Sequence, residues 1–239
     1  MSAEKLTEKV PSNVPRQLIT HLWVRRGIGV LGMSFPFIMY LGNLIIFDCK
    51  DVLFSISAYH NTKLMGVFVS IMAMISIFLF TYKGPGEKDR HWATLASVLC
   101  LGVALVPTSD KGDSCEGFTT WDCEILHLIF AISLFLVLAY FCLVLFVKTR
   151  PECNPTEEHR FLKSRRNLIY QICGYSMLAS MSAMLVMYLL KEYASVYIGF
   201  PYIFWGETVC LIAFGTAWIT KGNWFIYSDL HLDPSCNEQ

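Results

Sequence analysis

Three side chains stand where the sequence is otherwise most apolar, and each belongs to a type that does chemistry: His60, His127 and Glu207. His60 comes just before one apolar run, His127 lies one turn into another, and Glu207 sits inside a third. Ser55, Ser57 and Tyr59 flank the first histidine, and Asp110 follows the end of a further run. Tyr59, His60, Asp110, His127 and Glu207 therefore make up the candidate ligand-binding set. Imidazole and carboxylate can also hold zinc, and a zinc-bound water can attack an ester or amide. His60, His127 and Asp110 are the subset suited to that chemistry. With no local H-x-x-x-H or H-E-x-x-H pair in the chain, only the tertiary fold could assemble such a site.

A carboxylate inside an apolar run is costly and turns toward a bundle interior or a water-filled path. For Glu207 the functional reading is a proton or cation site. The structural reading is an interhelical contact to Tyr175, Ser176 or Ser180. Cys115 and Cys123 bracket a short loop and are expected to form a disulfide if their side of the membrane is oxidising. Closing such a loop contributes about 2–3 kcal/mol by chain entropy. Cys100, Cys142, Cys173 and Cys210 fall within apolar runs, where cysteine acts as a small hydrophobe.

The elements that position these groups are read from the hydropathy pattern. Hydrophobic residues make up 54% of the 239 and charged residues 16%, well below the roughly 25% charge of soluble domains. Six apolar stretches stand out, at about 27–48, 64–82, 92–109, 125–147, 167–190 and 199–220. Most approach the ~20 residues that cross ~30 Å of hydrocarbon as helix. The fold expected is all-α, a polytopic membrane protein with a six-helix bundle over 27–222, an N-terminal segment 1–26 and a tail 223–239. The first 26 residues hold Pro11, Pro15 and several charges before any apolar run. The first spanning helix is thus expected to direct its own insertion.

If six helices cross, fifteen of the nineteen Lys and Arg fall on the face that carries both termini. That face is then cytoplasmic. The opposite loops carry eight acids, an ordinary acidic surface or a vestibule for a cation or polar headgroup. Trp92, Trp121, Trp205 and Trp218 lie near helix ends, as interfacial belt residues do, and Lys163, Arg165 and Arg166 suit anionic lipid. Gly29, Gly32, Ser34, Ala179, Ser180, Ser182 and Ala183 suit close helix contacts. With zero formal net charge, nothing points to nucleic acid; membrane lipid is the expected partner.

Tyr59-His60, Ala104-Leu105-Val106-Pro107-Thr108, His127, Glu207, Phe214-Gly215-Thr216-Ala217-Trp218-Ile219 and Lys221-Gly222 follow one another in an order that resembles a family of multipass membrane proteins, mostly prokaryotic and known chiefly as domains of unknown function. The resemblance runs from about residue 25 to 222. It implies a helical bundle with His60, His127 and Glu207 as polar positions, and no particular activity. A more distant likeness is to the alkaline ceramidases and progestin-type receptors, intramembrane zinc hydrolases and their relatives. Ser57, His60, Asp110 and His127 match part of that serine–aspartate–histidine set. The sixth apolar run holds no histidine, and no seventh run is evident.

The function expected is to handle or sense a small solute or lipid through a polar pocket on the non-cytoplasmic side. The rivals are a zinc-dependent lipid hydrolase and a membrane assembly subunit without a substrate. The charge distribution gives the first test. Tags at Met1 and Gln239 should both be protected as cytoplasmic in intact cells, with a tag near Ser114 exposed outside; opposite locations for the two termini would rule out six crossings.

Overall fold

The computed structural model describes residues 16–47, 52–82, 84, 86–108, 120–148, 157–193 and 200–222. Among the described residues the chain forms six α-helices: α1 (Arg16–Phe47), α2 (Met65–Thr81), α3 (Glu87–Leu105), α4 (Thr120–Tyr140), α5 (Glu157–Tyr193) and α6 (Tyr202–Lys221). A 3₁₀ turn, Ser57–Asn61, precedes α2, and a π turn, Phe141–Leu145, prolongs α4. α1 begins well ahead of the apolar run expected from residue 27, because Arg16–Arg26 lacks Gly and Pro and continues the helix without a break.

Among the described residues, four stretches are long and apolar enough to cross a membrane: Leu22–Ile46 in α1, Cys123–Leu145 in α4, Phe161–Tyr193 in α5 and Tyr202–Lys221 in α6. The other two helices fall short for separate reasons. α2 is apolar throughout but only 17 residues long. α3 opens on Glu87, Lys88, Asp89 and Arg90, so its apolar part starts only at Trp92.

Each helix packs on its neighbours in chain order, and the ring closes where α6 lies along α1. Buried positions recur at helical spacing. On α1 they are Arg25, Ile28, Gly29, Gly32, Phe35, Pro36, Met39 and Asn43; on α2 they are Phe68, Ile71, Met72, Ile75, Ser76 and Leu79. The remaining faces are apolar as well, with Ile45, Phe80 and Leu105 at least 60% exposed, as a helix in lipid requires. The α2–α3 contact carries polar links. The Ser76 hydroxyl lies 2.9 Å from the Ser97 carbonyl oxygen, to which it donates, and the Cys100 thiol donates to the Met72 carbonyl at 3.2 Å.

The α1–α6 contact is the tightest, and it rests on glycine. A Cβ on Gly29 would come within 2.7 Å of the Gly215 carbonyl oxygen, and one on Gly215 within 2.6 Å of the Gly29 carbonyl oxygen. The two backbones touch at this level, so neither position has room for a side chain. Gly32 faces the Phe214 ring just beyond. The small residues of α5 behave otherwise: Ser180 donates to the Gly206 carbonyl of α6 at 2.9 Å, whereas Ala179, Ser182 and Ala183 face outward.

Gly215→Ala is expected to destabilise the bundle by about 1–3 kcal/mol through overpacking. The readout is a lower unfolding temperature of the purified protein in detergent. Gly66→Ala, on α2 where an added Cβ meets open space, should leave it unchanged or slightly higher.

Candidate functional site

One end of the bundle is organised around the 3₁₀ turn Ser57–Asn61. Ser57, Tyr59 and His60 are all buried there. Such a short turn has little stability of its own, and three neighbours hold it. From α6, the Glu207 carboxylate accepts the Ile56 N–H at 2.6 Å and also the Ser57 N–H. These are free donors at the start of the turn, so Glu207 caps it from another helix, as an N-cap side chain does locally. From the segment after α3, Thr108 accepts the Asn61 side-chain amide at 2.7 Å on its carbonyl and 3.0 Å on its hydroxyl. At the far end, the Thr62 hydroxyl donates to the Tyr59 carbonyl at 2.8 Å and accepts the Leu64 N–H at 3.1 Å.

His127, on α4, is buried beside this arrangement. Its Nδ1 lies 2.7 Å from the Val106 carbonyl oxygen. A carbonyl only accepts, so Nδ1 carries the proton and Nε2 presents a lone pair. That Nε2 is buried and has no hydrogen-bond partner. His60 is within electrostatic range of His127, and its ring stands edge-on to Phe68 with centroids 5.7 Å apart. Tyr59 packs against Phe204 at 6.3 Å, near the point where the Phe204 N–H donates to the Phe54 carbonyl at 2.9 Å.

The fold therefore gathers Tyr59, His60, His127 and Glu207 around one turn, together with the Val106–Thr108 segment. Asp110 and Cys115 lie outside the described residues; Cys123 is disulfide-bonded. Glu207 differs from expectation in its partners. Tyr175 on α5 faces outward at 64% exposure, and the carboxylate turns instead to the N–H groups of the turn. Uncapped backbone donors in an apolar setting attract a carboxylate more strongly than a hydroxyl does.

Beneath the turn an internal cavity of about 40 Å³ opens between α1, α2, α3, α4 and α6. Ser57 and Glu207 form its polar end; Phe35, Met72, Leu134 and Phe214 are among its apolar walls. At roughly 10–15 Å³ per water, such a space holds about three water-sized groups. Neither histidine lines it. Fit to a zinc ion is partial. A catalytic zinc takes three protein ligands, and among the described residues no three His, Cys, Asp or Glu side chains gather. Among the described residues, two imidazoles near one another are what this end offers, one ligand short of a catalytic zinc site.

The opposite end brings together buried polar groups that the sequence pattern gave no reason to place side by side. Arg25, Asp89, Arg166 and Lys221 are buried there, beside Tyr82, Tyr170 and Trp218. Trp218 is fully buried and packs on Phe146 and Tyr82, so it is no belt residue; Trp205, 52% exposed, is placed like one. Arg166 and Arg165 part company, the first turned inward and the second outward. Neighbouring positions on a helix point about 100° apart, which is the one sequence cue that a basic run cannot all face lipid. Comparison with protein families, with curated proteins and with solved structures finds no match.

Glu207→Ala should cost about 2–3 kcal/mol, since the turn's N–H groups lose a charged acceptor. Hydrogen exchange is the check: the Ile56 and Ser57 amides should lose protection first, and Glu207→Gln should retain part of it.

Proposed function

We propose that the chain crosses the membrane six times, with both termini in the cytoplasm, and binds a small amphiphile in the chamber beneath the Ser57–Asn61 turn. Two observations support six crossings. α2 and α3 are fixed between α1 and α4 in the ring, and both present exposed apolar faces through Ile77, Phe80, Val98 and Leu105. The fifteen basic residues on the face with the termini support the orientation.

The chamber carries the functional reading. Its walls are apolar and its polar groups sit at one end, where Ser57 and Glu207 meet the capped turn. A group of about three heavy atoms, apolar with a polar or cationic end, fits that polarity and volume: a small amphiphilic solute, or the polar tip of a larger lipid. Tyr59 and His60 of the turn, with His127 beside it, would govern entry from the non-cytoplasmic side. This is a binding or sensing role, with no bond made or broken.

A metal-dependent lipid hydrolase is the second reading, and the unpartnered Nε2 of His127 beside His60 is the observation that favours it. Asp110 would have to complete the ligand set.

The expected result is that protein purified in mild detergent carries an extractable amphiphile near stoichiometric amount. Ala131→Phe, which fills the chamber wall, should carry about tenfold less while remaining folded, a change of about 1.4 kcal/mol in binding. Equal ligand in the two proteins would overturn the chamber reading. Stoichiometric zinc that is lost in His127→Ala would favour the hydrolase instead.

A further inference from the structure

The histidines and Glu207 aside, the charged side chains buried among the described residues are Arg25, Asp89, Arg166 and Lys221, and all four lie at one end of the bundle. They come from four different helices, α1, α3, α5 and α6, so their convergence is a product of the ring and not of one basic stretch. The three cations are 8%, 7% and 9% exposed. Lys221 feels the charges of Arg25, Arg166 and Asp89 through space.

Aromatic rings form the wall between them. Trp218 meets Tyr82 edge-on at 4.8 Å and Phe146 edge-on at 5.2 Å, and Phe146 lies tilted against Tyr170 at 5.3 Å. The π turn contributes to this wall: its five-residue hydrogen bond, from the Phe146 N–H to the Phe141 carbonyl at 2.8 Å, brings Phe141 and Phe146 to 5.6 Å of each other. The Arg25 guanidinium lies 5.4 Å from the Tyr82 ring centre, and the Lys221 ammonium lies 5.1 Å from Phe146 and 5.9 Å from Tyr170. Cation–π attraction offsets part of the cost of removing these charges from water.

It does not satisfy their N–H groups. Each guanidinium has five donors and an ammonium three. Arg166 donates to the Tyr170 hydroxyl at 3.1 Å, and Arg25 bonds the Tyr82 hydroxyl. The Arg25 Nε is buried without a partner. Asp89, the one carboxylate among these four, also accepts the Gly86 N–H at 3.1 Å at the start of α3. Among the described residues, three basic groups thus face one carboxylate in a desolvated, donor-rich cluster, and Lys221 keeps its charge there at a high cost unless an anion joins them.

We propose that Arg25, Arg166 and Lys221 form a binding site for a phosphate group. Arginine offers a planar fork to two phosphate oxygens and lysine a point charge to a third, the usual division of labour at such sites. Lys163, partly exposed beside Arg166, stands at the rim, where it raises the local potential for an incoming anion. Phosphate can arrive as the headgroup of an anionic lipid or as a free ion. The aromatic wall and the lipid-facing helices suit the headgroup. This site is at the opposite end from the chamber and does not depend on the reading given to it.

The experiment uses the full chain in detergent, unfolded by heat with added phosphatidic acid, phosphatidylcholine or inorganic phosphate. Phosphatidic acid should stabilise the wild type in a saturable way and phosphatidylcholine should not. Lys221→Met and Arg25→Gln should each weaken that binding about tenfold or more, with Lys221→Arg retaining most of it. Arg165→Gln, at the outward-facing neighbour of Arg166, should bind as the wild type does. Saturable stabilisation by inorganic phosphate alone, with nothing added by the lipid, would keep the site and assign it to a soluble phosphate. Stabilisation of the wild type by neither source would overturn the proposal, and so would an equal loss in Arg165→Gln. Both of those readings survive a variant that fails to fold, since the first uses the wild type only and the second an exposed position.

Discussion

Closing a ring of helices requires its first and last members to meet, and here they meet backbone to backbone at Gly29 and Gly215. The contact works like a pivot with a polar arrangement at either end. Toward one end, α6 carries Glu207 to the segment that follows α1. Toward the other, it carries Trp218 and Lys221 to the level of Arg25. A wider separation of α1 and α6 would take the carboxylate out of reach of the Ile56 N–H and open the aromatic wall around Lys221. The distance of closest approach between two helices, set by the absence of two Cβ atoms, is thus a condition for both ends.

The two ends solve opposite electrostatic problems. Around the Ser57–Asn61 turn, backbone N–H groups lack acceptors, and a carboxylate from a distant helix supplies one. The charge there is consumed by a structural task, while the lone pair of His127 Nε2 is left open. At the other end, among the described residues, three basic groups meet one carboxylate, Asp89, and otherwise two phenol oxygens and the faces of the rings. Both residues of interest, a free imidazole nitrogen and an unpartnered guanidinium Nε, occupy places where water has been removed, so an unmade hydrogen bond there carries a larger cost than at the surface.

The chamber between the ends follows from the same packing. Leu134, Leu138, Leu211 and Phe214 line it beside Phe35 and Phe68, and helices converging on the Gly29–Gly215 contact cannot also fill the space beside it. Its polar end exists because Glu207 is held at the turn and so presents its carboxylate to the chamber as well as to the backbone.

Much of this protein is set by sequence alone. Apolar runs in lipid must close their backbone hydrogen bonds internally, so their helical state follows from composition, and the six helices fall on the six runs. The sorting of Lys and Arg predicts an orientation with no reference to contacts. His60, His127 and Glu207 were legible as suspects because a polar group among apolar neighbours is expensive wherever it ends up. What tertiary structure decided is which partner each one found. Glu207 chose two N–H groups contributed by a segment some 150 residues away instead of hydroxyls on the adjacent helix. Trp218 turned inward from a position that reads equally well as an interfacial belt. Arg25, Arg166 and Lys221 look like ordinary flanking charges along the chain, and only ring closure brings them together. In an all-apolar helix the hydrophobic pattern does not mark an inner face, because lipid accepts the same residues as the core does; the face is chosen by close packing and by where the polar groups can be satisfied.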